Sequence, residues 1–155
     1  MKMLLATTAI LSMAALGAAA QAQTTASKAA PTAIAVPNNI LLADWSGPYA
    51  GVPPFDKVTP ALFPQALQFG IDERRNEILA IANNPDAPTF ANTIEAYEKS
   101  GQRLDRVESV FGVMTSNMAT PEYQKLDKEW SSKLSAASDE ITLNPKLFQR
   151  IKTLY

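Results

Sequence analysis

Asn38-Asn39-Ile40-Leu41-Leu42-Ala43-Asp44-Trp45-Ser46-Gly47-Pro48-Tyr49-Ala50-Gly51-Val52-Pro53-Pro54-Phe55-Asp56 fits neither a helix nor a strand. Each proline pushes the residue before it out of the helical region, so Gly47-Pro48 and Pro53-Pro54 fix turns. Yet Leu41, Leu42, Trp45, Tyr49, Val52 and Phe55 carry too much apolar surface for a solvated linker. The stretch reads as an ordered strap, over 38–58, lying on a larger body.

That body follows at once, and it is helical. Thr59-Pro60 is a start signal, a hydroxyl cap before a proline at the first helical position. A short turn precedes a main helix over about 64–83, with Leu67, Ile71, Arg74, Ile78 and Ala82 on one stripe. The stem of Arg74 serves as the apolar part of its position. A second helix is expected over about 90–117, capped by Thr89 or Asn92, the latter approximating a capping box with Glu95. Its stripe is Ile94, Tyr97, Gly101, Leu104, Glu108 and Phe111. Gly101 therefore falls inside the helix, where a glycine costs about 1 kcal/mol, and close approach of a neighbouring helix is the expected return. A break at Ser100-Gly101 is the rival reading. Thr120-Pro121 opens a third helix over about 121–141, with Tyr123, Leu126, Trp130, Leu134, Ala137 and Ile141 as its seam. Asn144-Pro145 opens a fourth over about 145–155, carrying Leu147, Phe148, Ile151 and Leu154. It reaches Tyr155 without a stop signal, which reads as the front end of a longer protein cut in mid-helix. The fold class is all-α: helical hairpins or a bundle over 59–155, preceded by the strap.

Composition narrows the chemistry. The 155 residues include no histidine and no cysteine, and the formal net charge is -1. Ser-His and Cys-His nucleophile pairs, disulfides and His/Cys metal sites all need residues this chain lacks. Lysines and arginines are interspersed with acids, which argues against nucleic acid as a partner. Met1 to Ala22 has the build of an export signal: Lys2, an apolar run from Leu4 to Leu16, and small residues at Ala18-Ala19-Ala20 and Ala20-Gln21-Ala22. The apolar run is shorter than the ~20 residues a spanning helix needs, so no stable membrane anchor is expected after signal cleavage. Residues 23–37, rich in Ala, Thr and Ser, read as a flexible tether.

The run Trp45-x-Gly47-Pro48-Tyr49-x-Gly51-Val52-Pro53-Pro54-Phe55-Asp56, with Lys57 to Pro60 and Asn92-Thr93-Ile94-Glu95, resembles the amino-terminal region of the M3 zinc metallopeptidases. Bacterial peptidyl-dipeptidases (dipeptidyl carboxypeptidases) are the nearest type. The likeness extends through Ile141-Thr142-Leu143-Asn144-Pro145 and Phe148-x-Arg150-Ile151. It implies one part of the amino-terminal lobe of a two-lobed, mostly helical zinc hydrolase that releases carboxyl-terminal dipeptides from oligopeptides. It also implies a separate carboxyl-terminal region supplying the zinc ligands, and the bacterial periplasm as location. An H-E-x-x-H zinc helix needs two histidines four apart, so no catalytic or metal-binding residue is assigned here, and no substrate-binding residue can be named. The chain alone is expected to be inactive.

Three sets of acids at helical spacing invite a catalytic reading: Asp72 and Glu73 with Glu77, Glu95 with Glu98, and Asp105 with Glu108. Neighbouring lysines and arginines make solvated outer faces the plainer account. Trp45, Tyr49 and Trp130 are candidate stacking aromatics, Trp130 better placed for core packing. The competing function is a standalone exported helical module that binds peptides or partners, although the chain lacks the repeat period of such arrays.

Overall fold

In the computed structural model, residues 35–46 and 51–155 are described. The export signal expected over 1–22, the tether up to residue 34, and Gly47, Pro48, Tyr49 and Ala50 of the strap lie outside the described residues.

The strap is pinned before it reaches the first helix. Asn39 is buried; its side-chain oxygen accepts from the Leu41 N–H at 3.0 Å, and its amide donates to the Leu62 carbonyl at 2.9 Å. This turn, of the kind asparagine favours, drives Leu41 and Leu42 into the core, each 1% exposed. Trp45 packs at the core's edge beneath Arg106, whose guanidinium lies 5.9 Å from the ring centre and 3.3 Å from Asp44. Gly51 has φ +91°, and a Cβ there would sit 2.5 Å from the Trp45 carbonyl carbon, so the strap doubles back on itself where only glycine fits. Short 3-10 turns at Phe55–Lys57 and Pro60–Leu62 then deliver the chain to helix α1, Phe63–Ala82.

Helix α1 is the centre of the fold. Leu67, Ile71, Ile78 and Ala82 are buried as the stripe predicts, and Phe63, Ala66, Phe69 and Ile81 widen the buried face. Phe63 is fully buried, with ring centroids 5.0 Å from Phe111 and 6.1 Å from Tyr123, the tilted and edge-on arrangements aromatic pairs favour. A π-helical turn at Phe90–Glu95 and a single helical turn, α2, at Ala96–Glu98 follow the loop after α1. Helix α3 is Gln102–Met118, α4 is Pro121–Thr142 and α5 is Pro145–Lys152. Among the described residues there is no strand, and the class is all-α.

Several local expectations change. The helix expected over about 90–117 is broken at Gly101, which takes φ +77° and becomes the N-cap of α3. The Glu77 carboxylate accepts from the Gly101 N–H at 2.7 Å, and a Cβ on Gly101 would lie 2.6 Å from Cδ of Arg74. The side chain of Arg74 thus occupies the space that an ordinary residue's Cβ would need. Close helix approach occurs at a different glycine, Gly70, where a Cβ would stand 3.0 Å from Cα of Leu104. Alanine at Gly101 is expected to destabilise by about 2 kcal/mol, the cost of a left-handed conformation plus displacement of Arg74. Urea unfolding measures this directly; an unchanged midpoint contradicts the assignment.

The capping box belongs to Thr89 and Asn92, not to Asn92 and Glu95: each side chain accepts from the other's backbone N–H. Of the three hydroxyl or amide starts before proline, Asn144 makes side-chain cap bonds, whereas Thr59 and Thr120 make none. Proline's fixed φ and the extended N-cap residue suffice at those two ends. Helix α5 ends at Lys152, earlier than expected, where the Thr153 N–H and hydroxyl both turn back to the Gln149 carbonyl.

Candidate functional site

The packed helices leave a cleft between α1, α3 and α4 with a cavity volume of about 250 Å³. It opens where two apolar clusters part. One is built on Phe63, Leu67, Val107, Phe111 and Trp130, the other on Ile78, Ile81, Ile141 and Leu147. Ile71, Leu104, Leu134, Ala137 and Ile141 supply its apolar walls. Arg74 and Arg75 enter from α1, Glu108 from α3, and Ser135, Ser138 and Glu140 from α4.

The charged groups differ in how they are satisfied. Arg75 clasps Glu140 through Nε and Nη2 at 2.9 Å each and reaches Asp72 at 2.7 Å, tying α1 to α4. This pairing raises the Arg75 pKa and holds the Glu140 carboxyl below its usual range. Arg74 lies 3.6 Å from Asp105, an exposed partner. Glu108 is half-buried and makes no hydrogen bond or ion pair with the described residues. Burial pushes its carboxyl up, Asp105 adds to the effect, and Arg74 opposes it.

A raised folded-state pKa means that the charged carboxylate weighs against folding at neutral pH. Stability is regained as pH falls through that raised value toward the ordinary glutamate range, about 4.3. Glu108→Gln is therefore expected to raise Tm at pH 7, with the difference shrinking on acidification and vanishing below pH ~4. A lower Tm for the variant at pH 7 would show that the charge is compensated.

The sequence-level candidates scatter instead of converging. Asp72 pairs with Arg75, and Glu73 with Arg103. Glu77 serves the Gly101 N–H, and Glu95 pairs with Lys99. Glu98 is exposed. Apart from Glu98, these carboxylates are engaged in separate local contacts and do not form one site. Trp130 is 3% exposed in the core, with the Lys133 ammonium 4.2 Å from its ring centre. Tyr49 lies outside the described residues. Of these acids, only Glu108 lines the cleft; Asp105 is paired with Arg74, which lines it too.

A second polar centre lies at Arg150, which the sequence reading named only within Phe148-x-Arg150-Ile151. Arg150 is 8% exposed and donates through Nη1 to the carbonyls of Asn84 and Asp86, at 2.8 and 3.0 Å. Through Nη2 it donates to Asn92 Oδ1 at 2.9 Å and Thr93 Oγ1 at 3.4 Å. One guanidinium thus fastens α5 to the loop after α1 and to the π-helical turn.

There is no histidine or cysteine in the chain, and among the described residues no group of three or more acids is placed to hold a metal ion. No helix of the described residues is long and apolar enough to cross a membrane.

No family model matches the chain. Two curated proteins do: the dipeptidyl carboxypeptidase of Salmonella typhimurium, 41% identical over 117 residues, and that of Escherichia coli K12, 39% identical over 117 residues. Each match covers 76% of this chain and 17% of the relative. Over that segment the chain is similar to these bacterial dipeptidyl carboxypeptidases, of whose length it spans about one sixth.

Proposed function

We propose that this chain is an amino-terminal helical portion of an exported, zinc-dependent peptidyl-dipeptidase, an enzyme that releases dipeptides from the carboxyl ends of oligopeptides. The observation that carries the reading is identity near 40% with proteins named dipeptidyl carboxypeptidase. In this reading the segment is scaffold. The zinc ligands and the water-activating base come from a carboxyl-terminal region, because this chain has no histidine to offer. Its strap, helices α1 to α5 and the Arg150 joint form part of the amino-terminal lobe, and alone they do no hydrolysis. The periplasm is the proposed location, from the export-signal pattern of Met1 to Ala22.

The test is the genomic reading frame beyond the Tyr155 codon. An H-E-x-x-H codon series several hundred codons downstream is the expected result. A stop codon followed by an unrelated gene would overturn the proposal in favour of a standalone helical module.

A further inference from the structure

Two polar cross-links tie α1 to the corner where α4 gives way to α5, and apolar side chains stand exposed between them. Arg75 holds Glu140, and the Lys146 ammonium donates to Asn83 Oδ1 at 2.6 Å. Leu79 lies midway between Arg75 and Asn83, one helical step from each, so it shares their face of α1. It is 43% exposed. Leu143 falls between Glu140 and Lys146 in the chain and is 77% exposed. It also precedes Asn144, the N-cap of α5, and Phe148 is the fourth residue of that helix. These are the two positions of a hydrophobic staple, in which each side chain covers part of the other. Phe148 nevertheless remains 56% exposed. Beneath the corner, Ile141 and Leu147 are buried with Ile78 and Ile81, so the exposed side chains sit on a packed base. Apolar residues exposed singly are ordinary, but a group at one corner marks an interaction surface.

We propose that this corner is a docking surface for a later segment of the same polypeptide, one that lays apolar side chains on Leu79, Leu143 and Phe148. The proposal rests on the reading of the chain as one portion of a longer peptidase. Two observations favour this occupant over a second copy or a separate protein. The matched relatives are far longer, since the segment they share with this chain is 17% of each. The exposed side chains also fall far short of the ~800 Å² per partner that stable association between separate chains buries. A tethered segment is held at an effective concentration on the order of millimolar, so a small contact suffices.

The experiment is carbene footprinting read by mass spectrometry, on the 155-residue chain and on the product of the uninterrupted reading frame. Labelling of Leu143 and Phe148 is expected to be strong in the 155-residue chain and severalfold weaker in the longer product. Equal labelling in the two overturns the proposal. So does protection that grows with the concentration of the shorter chain, which would make a second copy the occupant. The double substitution Leu143→Gln with Phe148→Gln is expected to leave the urea midpoint of the shorter chain unchanged and to lower that of the longer product. An equal shift in both would assign the pair to the stability of α5 itself and overturn the proposal. A frame that stops at Tyr155 refutes the peptidase reading and this proposal together, whereas a continuing frame with equal labelling refutes this proposal alone.

Discussion

Phe63→Ala is expected to lower the unfolding free energy by about 4 kcal/mol, read as a reduced urea midpoint at unchanged slope. Phe63 begins α1 and is fully buried, and it stacks on Phe111 from α3 and Tyr123 from α4. Truncation removes the aromatic contacts of three helices at one point and leaves a cavity. The strap is fastened to the adjoining turn, through Asn39 on the Leu62 carbonyl, so the site cannot collapse freely. Small domains hold only about 5–15 kcal/mol in total, so this variant would sit near the folding threshold. Phe63→Leu, which keeps most of the volume, is expected to cost less than half as much.

Arg150→Met is expected to cost about 3 kcal/mol, and to do so locally. Two opposing terms decide this. Burying a guanidinium with no carboxylate among its hydrogen-bond partners is expensive, and methionine removes that expense. Against it, methionine orphans the Asn84 and Asp86 carbonyls, at about 1–3 kcal/mol for each that water does not reach, and takes one donor from the Asn92 oxygen, which still accepts from the Thr89 N–H and the Thr93 hydroxyl. Asp86 is exposed and Asn84 half-buried, so part of the loss is recovered by solvent. Hydrogen exchange should show the loss concentrated in α5 and residues 84–98, while α1 and α3 keep their protection. Uniform loss of protection would mean that Arg150 supports the whole fold.

The elements defined by local rules were legible. Prolines at the helix starts and unbroken apolar stripes located α1 and α4 to within a residue or two. The strap's buried anchors, Leu41 and Leu42, were legible because they are too apolar for a loop. What escaped was decided at long range. The choice between the unbroken helix and the rival break at Ser100-Gly101 depends on Glu77, 24 residues away, and on the side chain of Arg74. Both are tertiary facts with no trace in the spacing, which Gly101 fits. Arg150 shares a stripe with Leu147 and Ile151, but its partners lie 57 to 66 residues away. Glu108 had a signal: a carboxylate at apolar positions between Leu104 and Phe111 is out of place on a buried stripe. That signal marks a cleft wall, and it distinguishes Glu108 from the other paired acids.

The central claim is that this chain supplies framework and no peptidase chemistry. The direct measurement is incubation of the purified chain with an amino-blocked oligopeptide, with and without added zinc, followed by mass spectrometry of the products. No dipeptide release above the buffer blank is predicted under either condition. Zinc-dependent, chelator-sensitive release of carboxyl-terminal dipeptides would contradict the claim.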